Sequence, residues 1–233
     1  MTKNDQLQTS FLAVLDAVRS VQCRQTPQIV AVSKRQHLEK MLAWEKFCEA
    51  HALSIVFGEN YVQELVQKRQ SNQLSGASRI HLIGPLQSNK VKDAVTYADV
   101  IESVHSQKVL EKIIAEARKQ QRTPEIFLQV NISHDAAKSG FSEDEIEALV
   151  RQCRHTSAIV LRGLMTITQH YGDPEGARED YRRMKTLAEA VQGSEVLELS
   201  MGMSADFQIA IEEGASFVRI GSALFGERLP NLP

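Results

Sequence analysis

Two short apolar runs in this 233-residue chain end in residues that can do chemistry on a small ligand. Ile29-Val30-Ala31-Val32-Ser33-Lys34 delivers an amine, and Phe217-Val218-Arg219-Ile220-Gly221-Ser222 delivers a guanidinium followed by small residues. An amine kept in apolar surroundings loses part of its preference for the charged form and can condense with a carbonyl. Backbone amides beside glycine and serine suit an anion. The pair therefore suits an aldehyde that also carries a phosphate. By frequency alone a lysine at this place is a solvated loop residue; above Val30, Ala31 and Val32, in the mouth of a barrel, it becomes a candidate for imine formation.

A second phosphate-binding candidate is Leu199-Ser200-Met201-Gly202-Met203-Ser204, which leads into a helix with Asp206 in its first turn. Ser200 and Ser204, with Gly221 and Ser222, would form a cradle from the last two strand ends, a frequent phosphate position in barrels. Alternatively Ser204 only caps a helix and Gly221 only makes a turn. Arg219 interrupts an apolar strand and needs a partner, either a ring nitrogen or carboxylate of a ligand or a barrel acid such as Glu198. His81, within Ile80-His81-Leu82-Ile83-Gly84, is by default a satisfied core histidine. No His or Cys recurs at ligand spacing, so no metal site is expected. Nucleotide-binding glycine loops and hydrolase nucleophile motifs are lacking as well.

The elements that must position these residues follow from an alternation of apolar runs and amphipathic segments. The runs predict eight strands: Gln28–Ser33, Leu53–Gly58, Arg79–Gly84, Asp99–Val104, Glu125–Asn131, Ile159–Ile167, Val196–Ser200 and Ser216–Gly221. Several are apolar almost throughout, as parallel strands buried on both faces are. Helices are predicted over 5–21 and 38–52, from Ser106 as cap to Gln120, over 174–191, and over 205–213 ahead of Gly214. Ser142-Glu143-Asp144-Glu145 reads as a capping box for another. Eight such units without a linker or repeat predict an α/β fold, a single (β/α)8 TIM barrel over residues 1–233 with an extra N-terminal helix. An open doubly wound sheet is the competing architecture.

Bulk properties exclude other classes. A formal net charge of -2 with 24% charged residues leaves no basic footprint for nucleic acid. No apolar stretch approaches the ~20 residues a membrane helix needs, and the polar N-terminus lacks a signal-peptide core. Cys23, Cys48 and Cys153 are odd in number and far apart. They read as small core residues in a reducing, cytoplasmic setting.

The motifs taken in order resemble a known family. They are Ala31-Val32-Ser33-Lys34, Phe57-Gly58-Glu59-Asn60-Tyr61-Val62-Gln63-Glu64 and His81-Leu82-Ile83-Gly84-Pro85-Leu86-Gln87-Ser88-Asn89-Lys90. Leu128-Gln129-Val130-Asn131-Ile132-Ser133, Lys138-Ser139-Gly140 and Arg162-Gly163-Leu164-Met165 follow. Leu199 to Ser204 and Val218 to Ser222 complete the set. Together, from about Ile29 to Gly226, they resemble the YggS/PROSC family of pyridoxal phosphate homeostasis proteins. That family is itself similar to the barrel domain of alanine racemase, fold type III among pyridoxal phosphate proteins. The resemblance implies that Lys34 carries pyridoxal 5′-phosphate (PLP) as an internal aldimine. It implies that Ser200, Gly221 and Ser222, with nearby backbone amides, hold the phosphate, Arg219 faces the pyridine nitrogen, and Asn60, His81 and Met165 lie around the ring. Two departures are visible. Ser222 stands where threonine is common, which keeps a hydroxyl, and Arg35-Gln36-His37 follows the lysine where Thr-Lys-Pro is common.

The resemblance leaves carrier and enzyme to be distinguished. A permanent cation at the pyridine nitrogen disfavours its protonation and weakens the cofactor as an electron sink. Racemisation also needs an acid or base on each face of the substrate carbon. In the similar racemases the second is a tyrosine from a further C-terminal domain, which is not expected here because the chain ends at Pro233 soon after its last strand. The reading is therefore a monomeric PLP carrier or regulator in vitamin B6 homeostasis, with apo-PLP enzymes as acceptors. The alternatives are a weak PLP-dependent racemase, and a barrel for another phosphorylated metabolite with Lys34 merely structural.

Overall fold

The computed structural model describes residues 3–227. Its apolar runs form β1 (Gln28–Val32), β2 (Val56–Glu59), β3 (Arg79–Leu82), β4 (Val100–Val104), β5 (Glu125–Val130), β6 (Val160–Thr166), β7 (Glu198–Met203) and β8 (Phe217–Ile220). These strands are parallel and close into a barrel in chain order. Closure comes from the first and last strands, with Gln28 opposite Phe217, Val30 opposite Arg219 and Ala31 opposite Ile220. The TIM barrel is thus the architecture, and the open sheet is excluded.

Helix α1 (Lys3–Ser20) precedes the barrel. Helices α2 (Leu38–Ala50), α3 (Val62–Gln70), α4 (Val91–Tyr97), α5 (Gln107–Gln120), α6 (Glu143–Arg154), α7 (Arg178–Val191) and α8 (Phe207–Glu212) connect successive strands, and α9 (Ser222–Phe225) follows the last. Phe11 of α1 is fully buried, edge-on to Trp44 and to Phe225 with centroids 5.0 and 6.0 Å away. The extra helix therefore straps α2 to α9 across the outside of the β1–β8 seam. Among the described residues, no helix is long and apolar enough to cross a membrane.

Several predicted boundaries shift. Helices α3 and α4 stand where none was predicted, because Val62–Gln70 is mostly polar and shows only Val62 and Leu65 as a buried apolar pair. Segment 174–177 is a 3-10 turn, and α7 begins after it. Helix α8 starts at Phe207, since Asp206 stands at its N-cap with its carboxylate accepting the Met203 amide at 2.7 Å. Ser106 occupies the N-cap of α5 without making a side-chain cap bond. At α6 the predicted capping box is present, Glu145 accepting the Ser142 amide at 2.8 Å. Cys48 and Cys153 are buried, and burial raises their thiol pKa values to about 12 and about 11. Cys23, by contrast, is exposed, because it lies in the turn between α1 and β1 rather than on a packed face.

Alternation along the strands sorts side chains into two cores. Outward residues pack under the helices, whereas Val30, Val32, Val56, Ile83, Val100, Phe127, Met165 and Phe217 form a separate buried cluster within the barrel. At the N-terminal rim a run of ion pairs crosses four strands. Glu125 pairs with Arg79 at 2.8 Å and with Arg162 at 2.6 Å, and Arg162 pairs with Glu198 at 2.6 Å. Toward the C-terminal ends the interior turns polar.

Candidate functional site

The polar part of the interior is built from inward positions on β3, β4, β7 and β8. His81 Nδ1 lies 2.6 Å from Glu102 Oε1, and the Ser200 hydroxyl donates to Glu102 Oε2 at 2.6 Å. Arg219 donates from one nitrogen to Ser200 Oγ at 2.8 Å and from another to the Thr166 carbonyl at 2.6 Å. All four of these side chains are buried. Burial alone would raise the Glu102 carboxyl. The His81 hydrogen bond and charge, the Arg219 charge and the Ser200 hydroxyl outweigh it and hold Glu102 below the usual carboxylate range. The acid that balances Arg219 is therefore Glu102, reached through Ser200. Glu198, the alternative considered from sequence, is occupied by Arg162 at the opposite rim.

Lys34 lies in the turn after β1 and is partly exposed. Two observations put it beside the end of β8. Val30 and Ala31 are in register with Arg219 and Ile220, and a Cβ on Gly221 would stand 3.2 Å from the Val32 Cβ. Gly221 in turn directs its amide to Ser204 Oγ at 3.4 Å, so the loops after β7 and β8 meet. Ser222 opens α9 and is exposed. The Lys34 turn and the loops carrying Ser204 and Ser222 thus meet at the C-terminal end of β7, β8 and β1, above Arg219. Asn60 lies just past β2, pressed against the next loop, since a Cβ on Gly84 would be 2.6 Å from the Asn60 Cα. Only glycine allows that approach. The Asn60 Oδ1 is buried with no hydrogen-bond partner among the described residues, leaving an acceptor for a ligand group. Met165 is fully buried on β6 in the interior cluster. His81 packs over Phe217, with ring centroids 5.5 Å apart.

Ser200 is the residue whose placement departs most from its expected role. Its hydroxyl is enclosed between Glu102 and Arg219, so it orients the guanidinium, whereas Ser204 and Ser222 remain at the rim. Sequence reasoning missed Glu102, although a glutamate inside Val100-Ile101-Glu102-Ser103-Val104 is the same anomaly that singled out Arg219. It also missed Glu59, Glu64 and Lys68, which surround the Lys34 turn. The Lys138-Ser139-Gly140 motif folds the loop after β5 back on the barrel, Gln129 donating to the Ser139 carbonyl at 2.8 Å. Among the described residues, no group of three His, Cys, Asp or Glu side chains could hold a metal ion.

Comparison with known proteins places the fold and the family. Residues 14–229 match the family model for the alanine racemase N-terminal domain. The chain is 35% identical over 215 residues to the pyridoxal phosphate homeostasis protein of Vibrio alginolyticus, covering 88% of this chain and 90% of that protein. It superimposes with a TM-score of 0.80 and 31% identity on PipY of Synechococcus elongatus PCC7942 with PLP bound, covering 94% of this chain and 100% of that one. An alanine racemase of Clostridium difficile 630 shares the fold at 17% identity and a TM-score of 0.71, the match covering 97% of this chain and 57% of the racemase. A buried arginine seated in a polar barrel interior, a lysine at the neighbouring strand end and these matches lead to one assignment: the chain belongs to the family of pyridoxal phosphate homeostasis proteins built on the alanine racemase N-terminal domain.

Proposed function

We propose that this protein binds PLP at the C-terminal mouth of its barrel and serves cytoplasmic PLP homeostasis as a monomeric, single-domain carrier without catalytic turnover. The observation that carries the reading is the closure of β1 on β8, with Val30 opposite Arg219 and Val32 against Gly221, so that the turn bearing Lys34 follows β1 at the same end of the barrel as the Gly221 loop. PLP-bound PipY, similar over nearly the whole chain, supports the same ligand here. The residues present fit the group. Lys34 would link to the aldehyde carbon as an aldimine, Ser204, Gly221 and Ser222 would receive the phosphate, and Arg219 would meet the pyridine nitrogen. Asn60, His81 and Met165 would border the ring, the unsatisfied Asn60 Oδ1 accepting a donor there. PLP when bound supplies an aldehyde that exchanges between amines, which suits storage and hand-over to apo-enzymes.

The chain's own groups favour holding over turnover. Arg219 is held in place by Ser200 and the Thr166 carbonyl, which engage two of its nitrogens. Racemisation would need a second acid or base opposite Lys34. Tyr181 is buried, and burial and the Asp206 charge raise its pKa, so it retains its proton. The Tyr171 hydroxyl is bound to Asp180 at 2.8 Å.

Absorption spectra before and after borohydride reduction, followed by peptide mass mapping, test the proposal. A visible band lost on reduction, with a phosphopyridoxyl mass on the Lys34 peptide, is the expected result. PLP-treated protein with no band and no adduct at Lys34 overturns it. Because the family model is that of a racemase domain, weak racemisation is the second reading. It predicts PLP-dependent exchange of amino-acid α-protons in deuterated water, whereas the carrier reading predicts none.

A further inference from the structure

The turn that carries Lys34 is gripped by a second, buried lysine. Lys68, in the second turn of α3, donates to the Ser33 carbonyl at 2.7 Å, to Glu59 Oε1 at 2.6 Å and to Glu64 Oε1 at 2.7 Å. These three bonds use every proton of the ammonium. The two glutamates pass the grip on. Glu59 Oε1 accepts the Ser33 hydroxyl at 2.5 Å, and Glu64 Oε1 accepts the Arg35 amide at 2.7 Å. The Ser33 carbonyl belongs to the peptide group before Lys34, and the Arg35 amide belongs to the one after it. Both peptide planes flanking Lys34 are therefore tied to one cluster on β2 and α3.

Arg35 is also in the left-handed region, at a φ of 53°, a conformation a non-glycine residue keeps only where its surroundings hold it. Burying Lys68 and Glu59 is costly compared with apolar residues of the same size. What such a cluster provides in return is fixed geometry at Lys34.

We infer that Lys68, acting with Glu59 and Glu64, is a positioning residue that sets how the Lys34 amine is presented to the mouth. This deepens the reading of Lys34 as the amine that takes the PLP aldehyde, and rests on it. A displacement of about 1 Å at a reacting group costs roughly 100-fold in rate. Loss of the grip is expected to slow capture at Lys34 by about 10- to 100-fold on that scale.

The test uses full-length wild-type protein, Lys68→Met, and Glu64→Ala, which removes the hold on the Arg35 amide at a partly exposed position. Two readouts are taken well below each variant's melting midpoint. One is the rate at which Lys34 of PLP-free protein is reductively methylated by formaldehyde and borane, followed by peptide mass spectrometry. The other is the rate and site of PLP capture, trapped with borohydride. The expected result is slower reaction at Lys34 in both variants, with trapped PLP spreading to surface lysines. A merely structural cluster would lower the melting temperature and leave both readouts at Lys34 unchanged. If wild type captures PLP at Lys34 and folded Glu64→Ala does so at the same rate and site, the inference fails while the assignment of Lys34 stands. If wild type captures none at Lys34, the assignment itself fails. Should Lys68→Met not fold, Glu64→Ala and Ser33→Ala decide the matter by the same readouts.

Discussion

Glu102 and Glu59 are both buried glutamates within hydrogen-bonding reach of a basic side chain, His81 and Lys68 respectively, yet their pKa values move in opposite directions. At Glu102, His81, Arg219 and Ser200 together overcome burial and lower the carboxyl. A lowered folded-state value means stability that is present above the unfolded value near 4.3 and lost as pH falls below it. Glu102→Gln should therefore cost about 3 kcal/mol or more at pH 7 in urea unfolding, since it leaves Arg219 without its charge partner. The gap to wild type should narrow as the pH is lowered through the acid range. At Glu59, burial outweighs Lys68 and Ser33 and raises the carboxyl to about 7. Its contribution has the reverse sign, greatest below pH ~4.3 and lost as pH rises toward 7. A Glu59→Gln variant should thus lie closest to wild type in acid and differ from it most near neutrality, which urea titrations at several pH values would read. Lys34, Asn60, His81 and Arg219 could be singled out from sequence because each stands at or near a strand end or interrupts an apolar run. Lys68 could not, since a lysine in a polar helical segment looks solvated until the turn it grips is folded beneath it.

Elements act here chiefly by close approach. The loop after β3 can lie against Asn60 only because Gly84 lacks a side chain, and a methyl there would collide with the Asn60 backbone. Gly84→Ala should cost about 1–3 kcal/mol by overpacking and weaken PLP retention by moving Asn60, read by urea unfolding and equilibrium dialysis. On the outside, Phe11→Ala in α1 should cost about 3–5 kcal/mol, because its ring fills the space between Trp44 and Phe225. Strand existence was legible throughout, since apolar runs flanked by turn residues mark buried parallel strands. Their ends were less so. Segment 53–55 is apolar enough to resemble strand, yet β2 pairs only from Val56, while β7 runs on through Gly202 to Met203, where its register with β8 shifts. Helix α3 escaped notice because it is mostly polar, and α4 because seven residues are too short a window, although Val91, Ala94 and Val95 keep helical spacing.

At the scale of the molecule, sequence periodicity predicted eight units and hence the barrel, but not which residues meet inside it. The assembly of His81, Glu102, Ser200 and Arg219 joins four strands from distant parts of the chain, and only the barrel's register brings them together. Ligand linkage gives a global check. PLP at 100 times its Kd should stabilise wild-type protein by about 2.7 kcal/mol, visible as a rise in melting temperature. Lys34→Ala should lose most of that rise while keeping the melting temperature of unliganded wild type within a few degrees.

The seam between β1 and β8 has a bearing on how the protein comes into being. Lys34 follows the first of the barrel's eight strands in chain order and Arg219 lies on the eighth, with Gln28 opposite Phe217 at the seam. On the proposed reading the pocket is therefore incomplete until β8 pairs with β1, and PLP would join only after the barrel closes. The same order run backwards gives the exit. If the β1–β8 seam is the first to open, mild denaturant should release bound PLP before the helical circular dichroism signal is lost.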